Sequence, residues 1–534
     1  MAIRVVTGNP VWDEFAPTIE EFLRHDRSEF IIDGRRVGGY RSPDTTPIWL
    51  RDHTHQMKGF KYFDPDVTSA LDIFCQAQMP DGSFYDLFVD TDGIGGHDPA
   101  YHRLIFYDAI NRIFYQRTQV EADVEYLAVE AVHGAWQATG DDEWMRAKLP
   151  HLERGLAYSM RHPHRWSPEY QLVKRDFTID TWDFAVGPIV VTPKGRYHRS
   201  EIDENSLWCI MHGDNSGMYL ACKLMARMYA YLGHFERATH WQQVGEGFRQ
   251  RTNQVCWNGT FYTHQVHITP VNLDVDESRQ LSLSNTYDMN RGLPGHGQCV
   301  SIIQEYQRRR ETLKETHFAE WLSIDPPFPP EIFGGAEHAQ GRYVNGGIMP
   351  LVGGELARAS FEHGFESYGV DILKRYYELA IEPEKTYLWY QPDGMPASGG
   401  DILPTDGWGS AAMLYAFVEG LAGVVDQTKG YGHVRLSPRW RAAEVDDVEV
   451  EIGYAASGAT LRYTWKFDNT TNKIELDFSG PCDRVDFHVL VPKPAKEVTL
   501  GGQTIDFANK DVEQSHYVDF SLRSKRGNVV VKMK

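Results

Sequence analysis

The feature that most constrains this 534-residue chain is an asymmetry in the connections between its helical stretches. From residue 46 to about 425, apolar residues recur at three-and-four spacing, the pattern of helices with one buried face. Val124, Leu127, Ala128, Ala131, Ala135 and Ala138 make one such run, which Gly140 ends. Asp141 caps the next, whose apolar positions are Leu149, Leu152, Leu156 and Met160. Asp214-Asn215 opens a third with Met218, Cys222, Met225, Met228 and Leu232 on one face, closed by Gly233. Further helices are expected over 235–255, 347–363, 370–381 and 408–425. Tight turns join the members of a pair. Long connections, at 80–100, 163–213, 257–294, 325–346 and 383–407, join one pair to the next. Connections of that length in a compact domain tend to carry function. A closed ring of about six helical hairpins accommodates both kinds of connection, with short turns on one face and a funnel of long loops on the other.

The flanks differ. Residues 1–45 read as a short lead-in with a helical piece near Trp12 to Leu23 and a hairpin signal at Asp33-Gly34. After about residue 430 the pattern changes to alternation, as in Val448-Glu449-Val450-Glu451-Ile452 and Lys473-Ile474-Glu475-Leu476-Asp477-Phe478. Turn residues separate these strands, which predicts a small antiparallel β-sandwich. The expected division is a lead-in at 1–45, a helical ring at 46–428 and a sandwich at 429–534.

The net charge of −20, with no basic patch to offset it, argues against nucleic acid as a partner. No run of 18 apolar residues occurs, so no membrane span is expected. The six cysteines are scattered without a C-x-x-C pair, which fits neither a zinc framework nor a disulfide scaffold. Reduced thiols in the cytoplasm are the simplest expectation, or secretion after removal of a signal peptide, since residues 1–10 hold no apolar leader. Aromatic residues make up 13% of the chain, which suits a surface that covers the apolar faces of sugars.

Several constellations carry candidate chemistry. Lys174 to Gly187 gathers Asp176, Asp180 and Asp183 among Phe177, Trp182 and Phe184. Carboxylates there can transfer protons and accept hydroxyl hydrogen bonds. Trp49-Leu50-Arg51-Asp52 opens the first ring helix and can bind adjacent hydroxyls of one sugar. Glu121 and Asp123 are further acidic candidates. Arg342 and Asn345 stand before Gly346-Gly347, and Glu355 follows on a helix. Ser398-Gly399-Gly400-Asp401 precedes Trp408, so Asp401 lies on a loop where it could hold a water. Two carboxyl groups on opposite loops, one protonated and one ionised, are what glycoside hydrolysis requires.

These residues resemble a known group. Trp49-Leu50-Arg51-Asp52 resembles the Trp-x-Arg-Asp motif of glucoamylases and debranching glucosidases. Trp182-Asp183-Phe184 resembles the acid motif of trehalases and processing α-glucosidases, although Ile179 and Asp180 stand where that motif has Glu-Ser. Gly399-Gly400-Asp401 resembles their Gly-Gly-Gly-Glu segment, with Asp in place of Glu. The C-terminal sandwich is similar to that of α-L-rhamnosidases. The resemblance implies a mainly α fold, an (α/α)6 toroid followed by a small antiparallel β-sandwich, and an exo-acting, inverting glycoside hydrolase for α-linked oligosaccharides or glycosides that needs no cofactor or metal. It makes Asp183 the general acid and Asp401 the general base, with Glu355 an alternative base. Arg51 and Asp52 would hold the terminal sugar, Trp182, Trp408 and Trp389 would wall it, and Trp49, Asp180, Arg342 and Asn345 are further substrate-binding candidates. The partner is a small carbohydrate. A polysaccharide lyase using His212, His264 or His296, a glycoside phosphorylase, or a non-catalytic sugar-binding protein are the alternatives.

Overall fold

The computed structural model describes residues 2–43, 45–90, 104–179, 202–204, 206–271, 273, 275–329, 332, 339–397 and 403–534. Its helices are α1 (Pro10–Asp13), α2 (Phe15–His25), α3 (Leu50–Phe63), α4 (Ser69–Gln76), α5 (Val124–Thr139), α6 (Asp142–Ser159), α7 (His212–Tyr231), α8 (Phe235–Cys256), α9 (Ser284–Arg291), α10 (His296–Leu313), α11 (Pro350–Glu362), α12 (Glu366–Tyr376) and α13 (Gly407–Tyr415).

The odd-numbered helices from α3 to α13 form the inner wall of a closed ring. Each packs on the next, and α13 packs back on α3. Burial follows: every residue of α11 from Pro350 to Phe361 is buried, as is every residue of α13 from Gly407 to Leu414. Small residues let the inner helices touch. A Cβ on Gly354 of α11 would lie 2.3 Å from the carbonyl carbon of Ala412 in α13. A Cβ on Gly217 of α7 would lie 2.3 Å from the Tyr126 ring of α5. Outside the ring, α6 backs α5, α8 backs α7, α12 backs α11, and α2 lies over α13 and α3.

The connection lengths have the expected asymmetry. The inner helices α3, α5, α7, α9 and α11 each hand over to the following outer helix through a short turn, at 64–68, 140–141, 232–234, 292–295 and 363–365. Gly140 takes the left-handed conformation (φ 72°) that ends α5, and Asp141 caps α6 by accepting from the Trp144 N–H at 2.9 Å. The long connections, 77–123, 160–211, 257–283, 314–349 and the stretch before α13, all arrive at the N-terminal ends of inner helices. One expectation needs correction. The stretch 257–294 is not a single connection, because it contains the inner helix α9. All but one of its eight residues are buried, yet they read Ser-Asn-Thr-Tyr-Asp-Met-Asn-Arg and offer no apolar stripe. The long connections also hold small sheets, among them one that pairs Ile48–Trp49, Leu87–Asp90, Ile113–Arg117 and Leu104–Asp108 in that order.

Behind the ring lies a two-sheet sandwich. The five-stranded sheet runs Val424–Asp426, His433–Leu436, Arg484–Val491, Ser515–Leu522, Ala508–Val512. The seven-stranded sheet centres on Thr460–Asp468 and Lys473–Ser479, where Val450, Tyr463 and Phe478 lie side by side in register on the inner face. Pairing is antiparallel except between His433–Leu436 and Arg484–Val491, which run parallel. The edge strand of the larger sheet is Ile3–Val6, with Ile3 opposite Ile452 and Val5 opposite Val450. The lead-in thus supplies a strand to the sandwich. Its hairpin, Arg27–Ile32 with Arg35–Tyr40, turns at Asp33-Gly34, where both residues have positive φ (50° and 71°).

Candidate active site

The first turn of α3 carries Arg51 to the N-terminal rim of the ring. Its guanidinium grips Asp123, the cap residue of α5, through Nε at 2.7 Å and Nη2 at 2.9 Å, and Nη2 also lies 2.8 Å from Glu121. All three side chains are buried. Burial pushes both carboxyls up; at Asp123 the Arg51 charge outweighs it and holds the group below its ordinary value, whereas Glu121 stays well above. Arg117 stands behind, 3.2 Å from Glu125 and donating to the Glu121 carbonyl at 2.9 Å. Arg51 therefore ties α3 to α5. Trp49, just before α3, donates its Nε1–H to Thr45 Oγ1 at 3.1 Å, and Asp52 is half-buried beside Arg51.

Trp408, in the first turn of α13, lies at the centre. Its ring stacks on His55 of α3 (4.5 Å, 13°), and its Nε1–H donates to the Tyr287 hydroxyl of α9 at 3.0 Å. One indole thus joins three inner helices. Below it, the Lys58 ammonium lies 5.0 Å over the Tyr287 ring and pairs with Glu355. Glu355 is wholly buried and its other oxygen accepts from Asn290 Nδ2 at 2.6 Å. That carboxylate is committed to the ring interior.

The chain enters the acidic-aromatic segment through a fixed frame. Arg175–Asp176 pairs with Trp208–Ile210, which pairs with Val266–His267. Asp176 is bound within this frame: its Oδ1 accepts from the N–H groups of Leu207 (2.5 Å) and Phe177 (3.0 Å). Gln265 donates to the Thr178 carbonyl at 3.0 Å, and His264 Nε2 lies 2.6 Å from the Ile179 carbonyl. Asp180, Trp182 and Asp183 follow and lie outside the described residues, as does Asp401.

The far side of Asp401 is also fixed. Asp406 caps α13, accepting from the N–H groups of Trp408 (3.3 Å) and Gly409 (2.8 Å). Asp26, at the end of α2, accepts from Thr405 Oγ1 at 3.0 Å and from the Gly407 N–H at 2.6 Å. Burial, reinforced by the nearby Asp406 charge, raises the Asp26 carboxyl well above its ordinary value. Sequence reasoning missed Asp26, because nothing local in it points to a partner some 380 residues away.

Of the remaining candidates, Asn345 is fully buried and its amide closes a two-way bond with the Phe328 backbone, accepting from N–H at 2.7 Å and donating to C=O at 3.0 Å. It shapes the connection before α11. Arg342 is exposed on the same connection. The three histidines considered as bases are spread out. His212 sits between Asp288 (2.5 Å) and Ser282 (3.0 Å), His264 lies beside Ile179, and His296 faces His363 and Glu513 at the junction with the sandwich. Among the described residues no group of three or more His, Cys, Asp or Glu is placed to hold a metal ion, and no helix is long and apolar enough to cross a membrane.

No family model and no curated protein sequence matches the chain. Solved structures do. An α-L-rhamnosidase from Dictyoglumus thermophilum is similar over 100% of this chain and 51% of its own length, at 12% identity and a TM-score of 0.60. The α-L-rhamnosidase of Streptomyces avermitilis, solved with L-rhamnose, matches 99% of this chain and 42% of its own length at 14% identity and a TM-score of 0.60. A mannosylglycerate hydrolase from Thermus thermophilus matches 76% of this chain and 99% of its own length at 15% identity and a TM-score of 0.52. The chain spans about half or less of the rhamnosidases it resembles. What it has in common with these structures is the fold, an (α/α)6 ring of helical hairpins with a β-sandwich behind it.

Proposed function

We propose that the protein is an exo-acting glycoside hydrolase that cleaves α-linked oligosaccharides or small glycosides with inversion. The observation that carries this reading is the gathering of every long connection at the N-terminal ends of the inner helices. Two of those connections carry Asp183 and Asp401. Likeness of fold to two α-L-rhamnosidases and a mannosylglycerate hydrolase supports the same class. Asp183 protonates the departing oxygen, and Asp401 takes a proton from the water that attacks the anomeric carbon on the opposite face. The proton gained by Asp401 balances the one lost by Asp183, so the pair returns to its starting state once protons equilibrate with solvent. Trp408 and Trp49 supply apolar surface, and Asp52 is the hydroxyl ligand on α3.

The test is a screen of aryl α-glycosides and natural disaccharides, α-L-rhamnosides and α-glucosides first, with the product anomer followed by NMR. The expected product is the β-anomer. Asp183→Asn and Asp401→Asn each lower kcat at least about 100-fold. Retention of configuration would overturn the mechanism, and wild-type turnover by either variant would overturn its assignment.

A further inference from the structure

We propose that His264, oriented by Glu277, is a positioning residue that sets where the Asp183 segment leaves its frame. This rests on the reading of Asp183 as the acid. The frame holds three successive residues in three different ways. The Phe177 N–H donates to the Leu207 carbonyl at 2.9 Å, the Thr178 carbonyl accepts from Gln265, and the Ile179 carbonyl lies 2.6 Å from His264 Nε2. His264 is therefore the last contact before residue 180. Asp183 follows Ile179 by four residues in the sequence.

The imidazole itself has little freedom. It is buried and packs edge-on to Phe328 (5.5 Å, 63°). Its Nδ1 lies 3.2 Å from Glu277 Oε1 and 3.2 Å from Gln265 Nε2. Glu277 opens a short helical turn capped by Asp276, and its second oxygen takes His267 Nε2. His267 in turn packs on the Phe177 ring at 5.4 Å. Burial pushes the Glu277 carboxyl up, but its two imidazole partners outweigh that and hold it at about 2. Glu277 thus stays ionised beside Nδ1, and the ring is held with Nε2 against the Ile179 carbonyl. Had the Ile179 carbonyl been paired in a β-ladder, no side chain would be needed. The strand pairing stops at Asp176, and side chains take over at Thr178 and Ile179.

The roles of the two ring nitrogens separate in substitution. A glutamine amide can stand where Nε2 stands, and an asparagine amide where Nδ1 stands. In the full chain, His264→Asn is expected to lower kcat about 10- to 100-fold on the best glycoside from the screen, with KM changed less than about twofold. His264→Gln is expected to restore most of the rate. Hydrogen exchange of the peptide 174–179 is expected to rise in the asparagine variant and stay near the parent in the glutamine variant. A purely structural role would move both variants alike, with kcat, KM and melting temperature changing together, and that result overturns the proposal. Parent-like exchange and turnover in His264→Asn overturn it as well. If the parent hydrolyses no glycoside, the functional reading fails on its own, and the exchange measurement still decides whether His264 holds Ile179.

Discussion

Replacing Arg51 by methionine tests whether this residue is primarily a strut or a sugar ligand. Arg51 is 8% exposed, and its guanidinium serves two carboxylates, Asp123 through a two-point contact and Glu121 through one. Methionine keeps much of the volume and removes the charge. Breaking a buried ion pair from one side costs about 3–5 kcal/mol, because the remaining charge loses its partner in a poorly solvated place. Unfolding entropy of roughly 2.1 cal/mol/K per residue over about 380 residues of ring gives ~0.8 kcal/mol/K, so the melting temperature should fall by about 5 °C. The sign of the pH dependence is diagnostic. In the parent, Asp123 sits below its ordinary value, so its contribution is present above pH 4 or so and is lost as pH falls through the folded value. In the variant, burial acts on both carboxyls without Arg51: the Asp123 value rises above the unfolded one, and the Glu121 value, already above it, rises further. Their contribution is then greatest in acid and is lost as pH rises. The deficit relative to the parent should therefore be larger at pH 8 than at pH 5. Thermal melts followed by circular dichroism at both pH values measure it, and adding Glu121→Gln and Asp123→Asn should recover part of the loss. A deficit below about 1 °C, or one that grows toward acid, would refute the argument.

Gly354→Ala drives a methyl group into the Ala412 backbone, 2.3 Å away, and should cost about 3 kcal/mol or more and lower the yield of folded protein. A melt that matches the parent would show that α11 and α13 can move apart. Asn345→Ala removes both bonds to Phe328 and should cost about 2 kcal/mol, read as a lower urea midpoint with an unchanged slope. Asp426, with both oxygens bound to the N–H groups of Thr428 and Tyr431 at 3.0 Å, is pushed by burial to about 6. It retains its proton more tightly folded than unfolded, so its contribution of roughly 3 kcal/mol favours folding below about pH 4 and is lost as pH rises through 6. Asp426→Asn should reduce the fall in melting temperature between pH 4 and pH 7, and an unchanged difference would exclude it as a source.

The ring was legible because its helices obey local rules. Gly140 and Asp141 end one helix and start another with contacts that span three or four residues, and such signals survive in any context. α9 was not legible. Asn285 and Asp288 are buried through hydrogen bonds to Tyr262 and His212, 23 and 76 residues away, and periodicity of apolar residues does not register that kind of burial. The same limit applies to Arg51. Its position after Trp49 is visible in the sequence, but its commitment to Asp123, 72 residues away, depends on ring closure. Ile3–Val6 is four residues long, too short to announce a strand whose partner lies beyond residue 446.

That edge strand has a mechanical consequence. Ile3–Val6 is stitched into the sandwich, and some twenty residues later Asp26 is stitched to Thr405 and Gly407. The lead-in is thus a guy-rope between the edge of the sandwich and the rim of the ring, running over α13. Tension applied at the N-terminus, as when the protein is tethered to a surface by that end, would first load the edge ladder against Asp447–Gly453. Only after the ladder peeled would the load reach the turn from which α13 starts. The sandwich therefore shields the rim from forces that arrive along the chain.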